Sequence, residues 1–257
     1  MVKVTFLGTG TSQGVPVIAC DCEICTSLDF RDKRLRSSII IEIDDKKLVI
    51  DSGPDFRQQM LNSKIKNLDA ILYTHEHKDH VAGLDDVRPF NFIQKKPIEI
   101  FCNDRVFQAL KREFHYIFDP KFQYPGIPKI NRNKILKTKF KIDEDIEIEP
   151  IEVMHYKLPV LGFRIEKFAY ITDAKTIKED EKEKLKGLDL LIVNALRLKE
   201  HLSHFNLEEA LNLIEELHPK KAILTHISHY MGLHEEIQKK LPDHISLGYD
   251  NQKIILN

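Results

Sequence analysis

Residues 73–80, with the sequence YTHEHKDH, constrain this chain more than any other stretch. They directly follow residues 68–72, a short apolar run that predicts a buried strand. Three imidazoles and two carboxylates are therefore expected where a strand ends and a loop begins, which is a common position for binding residues. A charge-rich solvated loop or a chance cluster of histidines is the alternative interpretation. The density of ligand-type side chains at a strand end favours metal binding.

The spacing within this stretch predicts which side chains share an ion. His75 and His77 are two positions apart, so in an extended chain they point to the same side and can bind one ion together. Asp79 and His80 follow the bend and can turn toward a second ion. Imidazole and carboxylate without thiolate suit Zn²⁺, Mn²⁺ or Fe²⁺, and the Irving–Williams order does not choose among these metals in a protein.

The pattern His-x-His-x-Asp-His resembles the ligand motif of the metallo-β-lactamase superfamily. Four further motifs of that superfamily are present in the expected order, one before this stretch and three after it, each just past an apolar run. Their ligand-type residues are Asp51 in VIDSG, His155 in VMH, Asp173 in AYITD and His226 in ILTH. The resemblance implies an α/β fold, the four-layer αββα sandwich. The alternating order of predicted strands and helices fits two sheets packed face to face with helices outside.

The same resemblance implies a dinuclear hydrolase. Asp79 would be both a metal ligand and a neighbour of the attacking water, and Asp51 would support the ligands from behind. Two ions about 3.5–4 Å apart lower the pKa of a bridging water toward neutrality, which suits phosphodiesters as well as thioesters and lactams. The implied ligands are His75, His77 and His155 for one ion, Asp79, His80 and His226 for the other, and Asp173 as the bridge.

Composition limits the rest of the molecule. The 257 residues, 42% of them hydrophobic, are enough for one large core, so a single domain over residues 1–257 is expected. A net charge of −1 gives no global attraction to nucleic acid. No apolar run approaches the ~20 residues of a membrane span, and residues 2–7 are too short for a signal peptide. We therefore expect a cytoplasmic protein that is not bound to a membrane.

A second metal site is predicted near the beginning of the chain. Cys20, Cys22 and Cys25 have Cys-x-Cys-x-x-Cys spacing, which is too close for a disulfide framework and suits one ion. His229 is the candidate fourth ligand, and a closed Cys₃His shell would make this zinc structural. Reduced or redox-active cysteines are the alternative. Cys102 lies in an apolar run and is expected to be a plain core residue.

Residues 196–205, LRLKEHLSHF, contain the candidate catalytic acid. Hydrolysis of a phosphodiester requires a proton for the leaving alkoxide, and His204 is the candidate donor. Helix capping or a structural hydrogen bond near Asn206 is the alternative role for that histidine. His201, Arg197 and Arg88 are candidate substrate-binding residues.

Together, the cysteine loop, the His-x-x-His-Phe segment and the run THISH are similar to the phosphonate-utilisation phosphodiesterase family. Members of that family open a ribosyl cyclic phosphate and contain an additional zinc. The resemblance therefore implies a small cyclic or diester phosphate as substrate. It also implies two divalent catalytic ions, Zn or Mn, and one structural Zn.

Three other functions remain open from the sequence. A tRNA 3′-processing endonuclease shares the ions, but no Gly-rich or strongly basic insertion is present to serve as its RNA-binding arm. A lactamase, or a thioester or lactone hydrolase, would not need His204. A non-catalytic metal-binding carrier, like cofactor-biosynthesis relatives with an eroded motif, ranks lowest because all seven ligand positions are intact.

Several other predicted features have no assigned role in catalysis. Strands are expected at residues 38–43, 47–50 and 135–140, and a helix at residues 84–94. Residues 118–133, rich in proline and aromatic residues, are expected to be irregular, as either a lid or a packed surface loop. A homodimer is compatible with the sequence, but no stretch marks a dimer face.

Overall fold

The computed structural model describes residues 1–122, 124–143 and 145–256, which form two compact units. Unit 1 comprises Met1–Gly8, Ser38–Ile135 and Asn251–Asn257, and unit 2 comprises Thr9–Ser37 and Leu136–Asp250. The expectation of a single domain stays a prediction.

Strands and helices are mixed in both units. The strands are β1 (Val2–Gly8), β2 (Ser38–Ile43), β3 (Lys46–Ile50), β4 (Ala70–Leu72), β5 (Ile98–Cys102), β6 (Ile130–Lys134), β7 (Phe140–Ile142), β8 (Ile146–His155), β9 (Leu158–Ile165), β10 (Phe168–Ile171), β11 (Thr176–Ile177), β12 (Leu190–Asn194), β13 (Lys221–Thr225), β14 (Ile245–Leu247) and β15 (Lys253–Leu256). The α-helices are α1 (Glu23–Thr26), α2 (Phe56–Ser63), α3 (Lys78–Val81), α4 (Arg88–Gln94), α5 (Asp104–Glu113), α6 (His115–Phe118), α7 (Glu179–Glu183), α8 (Leu207–Leu217) and α9 (His234–Gln238). The predicted α/β class with two sheets is confirmed.

Unit 1 contains a seven-stranded sheet in the order β15-β1-β2-β3-β4-β5-β6. The pairs on the β15 side are antiparallel, whereas β3, β4, β5 and β6 run parallel to one another. The carboxyl ends of parallel strands meet at one edge of a sheet, where α/β proteins usually bind ligands. The loops that follow β3 and β4, and therefore Asp51 and residues 73–80, lie at this edge.

Unit 1 has its own apolar core. Every residue of β4 is buried, and Ile71 packs in a cluster with Val49, Ile100 and the helix residue Leu110. β4 is a short run without polar residues because it is an interior strand of a sheet covered by apolar side chains. The buried strand expected before the histidine motif is confirmed, although it begins at Ala70.

Unit 2 contains the second sheet, in the order β11-β8-β9-β10-β12-β13-β14, with β7 paired to β8. Here β10, β12, β13 and β14 are parallel. The segments that follow β10, β12 and β13 contain Asp173, residues 196–205 and His226, respectively. The candidate site residues of unit 2 therefore also lie at the carboxyl ends of parallel strands. A separate apolar cluster, which includes Leu191, Leu213 and Leu224, forms the core of this unit.

Some predicted elements differ from the structure. The strand expected at residues 135–140 is wrong, because only Phe140 of that range lies in a strand and Leu136 is exposed. The helix expected at residues 84–94 begins with a 3₁₀ turn, Leu84–Val87, before α4. Within residues 118–133 the described part contains a 3₁₀ turn at Pro120–Phe122 and the start of β6, and residue 123 lies outside the described residues.

In the part of the chain that the structure describes, no helix combines the length and the apolar composition required to cross a membrane.

Candidate metal-binding and catalytic sites

The histidine motif of unit 1 brings three imidazoles together. His75 Nε2 lies 3.0 Å from His77 Nδ1, and the His75 ring centroid lies 4.2 Å from that of His80. His75 and His80 are fully buried, and His80 Nε2 lies 3.1 Å from Asp79 Oδ2. Nitrogen and carboxylate donors at such separations fit a divalent metal. Glu76 does not belong to this set, since it is hydrogen-bonded to Arg105.

Asp51, the residue expected to support the ligands, contacts both Thr74 and His80. Its Oδ2 lies 2.7 Å from His80 Nδ1, and both carboxylate oxygens accept hydrogen bonds from Thr74. Donation from His80 Nδ1 to Asp51 makes Nε2 the unprotonated nitrogen of the ring, and fixing that tautomer is the usual role of a carboxylate behind a metal-binding histidine. Burial raises the pKa of the Asp51 carboxyl, against the opposing effect of the His80 charge.

The backbone next to the motif is closely packed. The nitrogen of Gly83 donates to the carbonyl of Ser52 over 2.8 Å, immediately after α3. A Cβ at position 83 would lie 2.2 Å from the carbonyl oxygen of Gly53 and 2.6 Å from Phe56 Cβ. Only glycine permits this approach, which fixes the end of the motif helix against the loop that contains Asp51.

In unit 2, Asp173 is the centre of a second donor set. Its Oδ1 lies 3.0 Å from His204 Nε2, and its Oδ2 lies 3.4 Å from His226 Nδ1. The rings of His204 and His226 are stacked, with centroids 5.0 Å apart, and the His155 and His204 centroids are 4.4 Å apart. Donor atoms of His155, Asp173 and His204 all lie within 4.8 Å of one another. Nitrogen and carboxylate donors at these separations also fit a metal ion.

Local contacts orient the histidines of unit 2. His155 Nδ1 lies 2.8 Å from the carbonyl oxygen of Ser203, to which it donates, so Nε2 is the unprotonated nitrogen of that ring. Thr11 Oγ1 lies 3.3 Å from His226 Nε2 and Thr172 Oγ1 lies 3.4 Å from Nδ1. Neither Thr11 nor Ser203 was predicted as a site residue. Thr11 lies in a Gly-rich loop, which is a weak signal without a strand-to-helix context.

His204, the candidate acid, is 9% exposed. The capping alternative does not describe its position, because Asn206 caps α8 and forms a reciprocal capping box with Glu209. The two arginines that are candidate substrate-binding residues form hydrogen bonds with residues close to them in sequence. Arg197 donates to the carbonyls of Lys199 and Glu200, and Arg88 donates to Asp85. Their predicted contact with substrate stays a prediction.

The cysteine loop and His229 converge in unit 2. Each of the three Sγ atoms lies 3.4 Å from His229 Nδ1, and all four donor atoms lie within 4.8 Å of one another. In tetrahedral zinc coordination, bond lengths of about 2.3 Å to sulfur and about 2.05 Å to nitrogen place those atoms about 3.6 Å apart. The donor set and its spacing therefore fit zinc, and the four cysteines of the chain are free thiols.

The environments of the thiols in this cluster differ. The backbone N–H of Cys25 donates to Cys22 and lowers the pKa of the Cys22 thiol to about 6, which favours the thiolate that metals bind. Burial raises the pKa of the Cys25 thiol to about 11. Cys102 is fully buried in β5, as expected of a core residue.

Comparison with known proteins identifies the family and the fold. A protein-family sequence model, that of the beta-lactamase superfamily domain, matches residues 46–227. The crystal structure of a diphosphatase from the PhnP family is 37% identical, with a TM-score of 0.93 over 100% of this chain and 98% of that one. Zinc-bound PqqB from Methylobacterium extorquens is similar in fold, with 19% identity and a TM-score of 0.81 over 99% of this chain and 100% of that one.

A relative from Porphyromonas gingivalis, named octanoyltransferase, is 40% identical over 262 residues. The match covers 100% of this chain and 52% of that protein, so the chain spans about half the length of this relative. The metallo-β-lactamase fold and the metal-dependent hydrolase class predicted from the sequence are confirmed. The chain belongs to the β-lactamase superfamily and, within it, to the PhnP family.

Proposed function

We propose that this hydrolase is a dinuclear phosphodiesterase acting on a small cyclic or diester phosphate. The observation that supports it most is the position of His204, whose Nε2 lies 3.0 Å from the carboxylate of Asp173. An acid beside a metal ligand is useful when the leaving group is a poor one, such as an alkoxide. The similar structure with 37% identity is that of a diphosphatase, which favours a phosphate substrate.

The proposed catalytic ligands are the donors described in each unit. Two bound divalent ions, Zn or Mn, would generate a nucleophile from water at neutral pH and stabilise charge on the phosphate. Asp51 orients His80, and Ser203 orients His155. His204 protonates the leaving oxygen. Cys20, Cys22, Cys25 and His229 would hold a third ion, a structural zinc. The proposed ligands are His75, His77, Asp79 and His80 in unit 1, and His155, Asp173 and His226 in unit 2.

Turnover by protein of known metal content tests this function. The substrates are bis-p-nitrophenyl phosphate, whose leaving group needs no acid, and a 2′,3′-cyclic nucleotide, whose leaving group does. We expect metal-dependent turnover of both, and we expect His204→Ala to reduce turnover of the cyclic substrate by ~10²-fold without loss of metal. His218→Ala, which changes an exposed histidine at the end of α8, is the matched control.

Two results would contradict these assignments. Equal losses on both substrates would show that His204 is not the acid. Absence of phosphodiester turnover by metal-loaded protein would contradict the phosphodiesterase. A bis-nucleoside diphosphate, assayed in parallel, distinguishes cleavage of a phosphoanhydride from cleavage of a phosphate ester.

Hydrolysis of an acyl thioester is the second candidate function. The name of the Porphyromonas gingivalis relative favours an acyl substrate, although that protein is about twice as long as the matched region. Exposed apolar side chains also lie in sequence beside the histidines of unit 2, namely Tyr156, Leu198 and Leu202. Octanoyl-coenzyme A is the test substrate. A thiolate leaves without a proton, so His204→Ala should retain this activity if thioesters are the substrate.

The proposed partner is a small molecule, with neither nucleic acid nor membrane required. A tRNA-processing role would produce tRNA binding that weakens steeply with salt, because phosphate contacts release counterions. We expect no such binding in a salt titration. We also propose a homodimer, which light scattering on the purified protein tests directly.

A further inference from the structure

His201 lies directly behind the candidate acid. His201 Nδ1 is 3.2 Å from His204 Nδ1, on the side of the His204 ring opposite to Asp173. Ser203 Oγ contacts the same two nitrogens, at 3.0 Å from His204 and 3.3 Å from His201. The His204 ring is therefore contacted at both nitrogens by side chains of unit 2.

The hydrogen-bond directions can be assigned from one backbone group. The amide N–H of Ser203 points at His201 Nδ1 over 3.3 Å, and an amide nitrogen can only donate. His201 Nδ1 is therefore an acceptor and its proton is on Nε2. Two acceptor nitrogens would repel each other at 3.2 Å, so His204 Nδ1 must be the donor to His201.

The surroundings of His201 favour the neutral acceptor. The residue is half-buried, and burial is the main cause that lowers its pKa, followed by the charges of His204 and Arg197. Nearby contacts stabilise the loop independently of this side chain. Arg197 donates to the carbonyls of Lys199 and Glu200, and Asn206 Nδ2 donates to the carbonyl of Leu198.

We propose that His201 is a positioning residue, which accepts a hydrogen bond from His204 Nδ1–H and so directs His204 Nε2 toward Asp173. The proton that His204 gives to the leaving oxygen is the one on Nε2, and the ring keeps its proton on Nδ1. This role replaces the substrate-binding role suggested by the sequence, and it rests on the proposed function for its catalytic consequence. A histidine that can rotate about its χ2 angle delivers a proton less efficiently, since general acid catalysis requires the donor within hydrogen-bond reach of the leaving atom.

The variants His201→Ala and His201→Gln, in metal-loaded protein, test the kinetic consequence. We expect His201→Ala to lower kcat for the 2′,3′-cyclic nucleotide by ~10-fold or more, with KM, metal content and the thermal midpoint unchanged. Turnover of bis-p-nitrophenyl phosphate should change little, because its leaving group needs no acid. His201→Gln offers a carbonyl oxygen as acceptor and should restore part of the loss.

The double variant His201→Ala/His204→Ala should be no slower than His204→Ala, because His201 acts through His204. Three results would overturn the proposal: a rise in KM alone, as for a substrate-binding residue; equal losses on both substrates; or losses that multiply in the double variant. If His201→Ala does not fold, His201→Gln gives the same comparisons.

A measurement that needs no turnover separates this inference from the proposed function. Histidine ¹⁵N NMR of the metal-loaded protein, assigned with His204→Ala, reports which ring nitrogen of His204 is protonated. We expect a protonated Nδ1 in the wild type and an altered Nδ1 signal in His201→Ala. An unprotonated Nδ1, or an unchanged signal, overturns the positioning role even if the wild type hydrolyses both phosphodiesters. If the wild type hydrolyses neither phosphodiester, the proposed phosphodiesterase function is wrong. The NMR result still shows whether His204 Nδ1 donates to His201.

Discussion

Asp51 is a buried carboxylate that orients His80, one of the proposed metal ligands. It accepts from His80 Nδ1 over 2.7 Å and from Thr74, and it is itself fully buried. We expect Asp51→Asn to lower metal affinity by ~10- to 100-fold, the usual cost of removing such a partner. Competition with a metal-sensitive dye measures the affinity of the purified variant.

A carboxylate elsewhere in unit 1 provides the control for this prediction. Asp85 is hydrogen-bonded to Arg88 and Tyr116 and is not a predicted ligand. Asp85→Asn should leave metal affinity at the wild-type value. If both variants lose affinity equally, the Asp51 effect is one of general stability.

His234 makes stability depend on pH. Its Nδ1 accepts from Arg34 over 3.1 Å, and burial lowers its pKa from 6.5 to about 4. Below pH ~6.5 the unfolded chain binds a proton that the folded chain excludes until about pH 4. The contribution of His234 to stability therefore falls as the pH decreases through this window, by about 3 kcal/mol in total.

Denaturant unfolding of the wild type and His234→Gln between pH 7 and pH 4 tests this contribution. Burial raises the pKa of Asp250 to about 6, and its contribution has the opposite sign, because the folded chain then binds the extra proton. The difference between the two proteins isolates His234. We expect the variant to gain stability relative to the wild type as the pH falls, and a constant difference would contradict the assignment.

The identities of the ligand-type residues could be predicted, whereas their partners could not. His75, His155 and His226 were recognisable because each follows an apolar run in a motif. The contacts of Ser203 with His155 and of Thr11 with His226 join segments far apart in sequence. No local pattern encodes such contacts, since they depend on where the loops lie after folding.

At the scale of elements, buried parallel strands were predictable because their runs are continuously apolar. β6 was missed because its sequence, INRNK, is polar. It is an edge strand, and Asn131 and Asn133 donate from it to Glu99 on the neighbouring strand β5. The alternating residues 135–140 resemble a strand better, but Leu136 remains exposed. Alternation alone cannot show whether a segment has a strand to pair with.

The cysteine loop is an element whose order should depend on its metal. Cys22→Ser removes one of four donors, so we expect loss of one zinc per chain, faster proteolysis within residues 17–33 and retention of the catalytic ions. Metal analysis and timed proteolysis measure these effects. Cys102→Ala, a change in the core of unit 1, should leave the zinc content unchanged. Loss of all metal from Cys22→Ser would contradict a separate zinc site.

At the scale of the whole molecule, we expect the fold to persist when the metal ions are removed. Each unit has its own apolar core, so neither sheet depends on an ion for burial. We expect chelation to abolish turnover reversibly, to leave the far-UV circular dichroism unchanged and to lower the thermal midpoint, since a ligand at 100 times its Kd stabilises by about 2.7 kcal/mol. Loss of the circular dichroism on chelation would contradict this expectation.

The pairing of β1 has a consequence for the time course of folding. β1 lies between β2, which follows after some thirty residues, and β15, whose Leu256 pairs with Val2 across almost the whole sequence. Closing so long a loop is entropically costly, and contacts of this kind slow folding. During synthesis, β1 therefore keeps one edge unpaired until β15 has left the ribosome, so unit 1 is expected to complete its native sheet only after β15 has been translated.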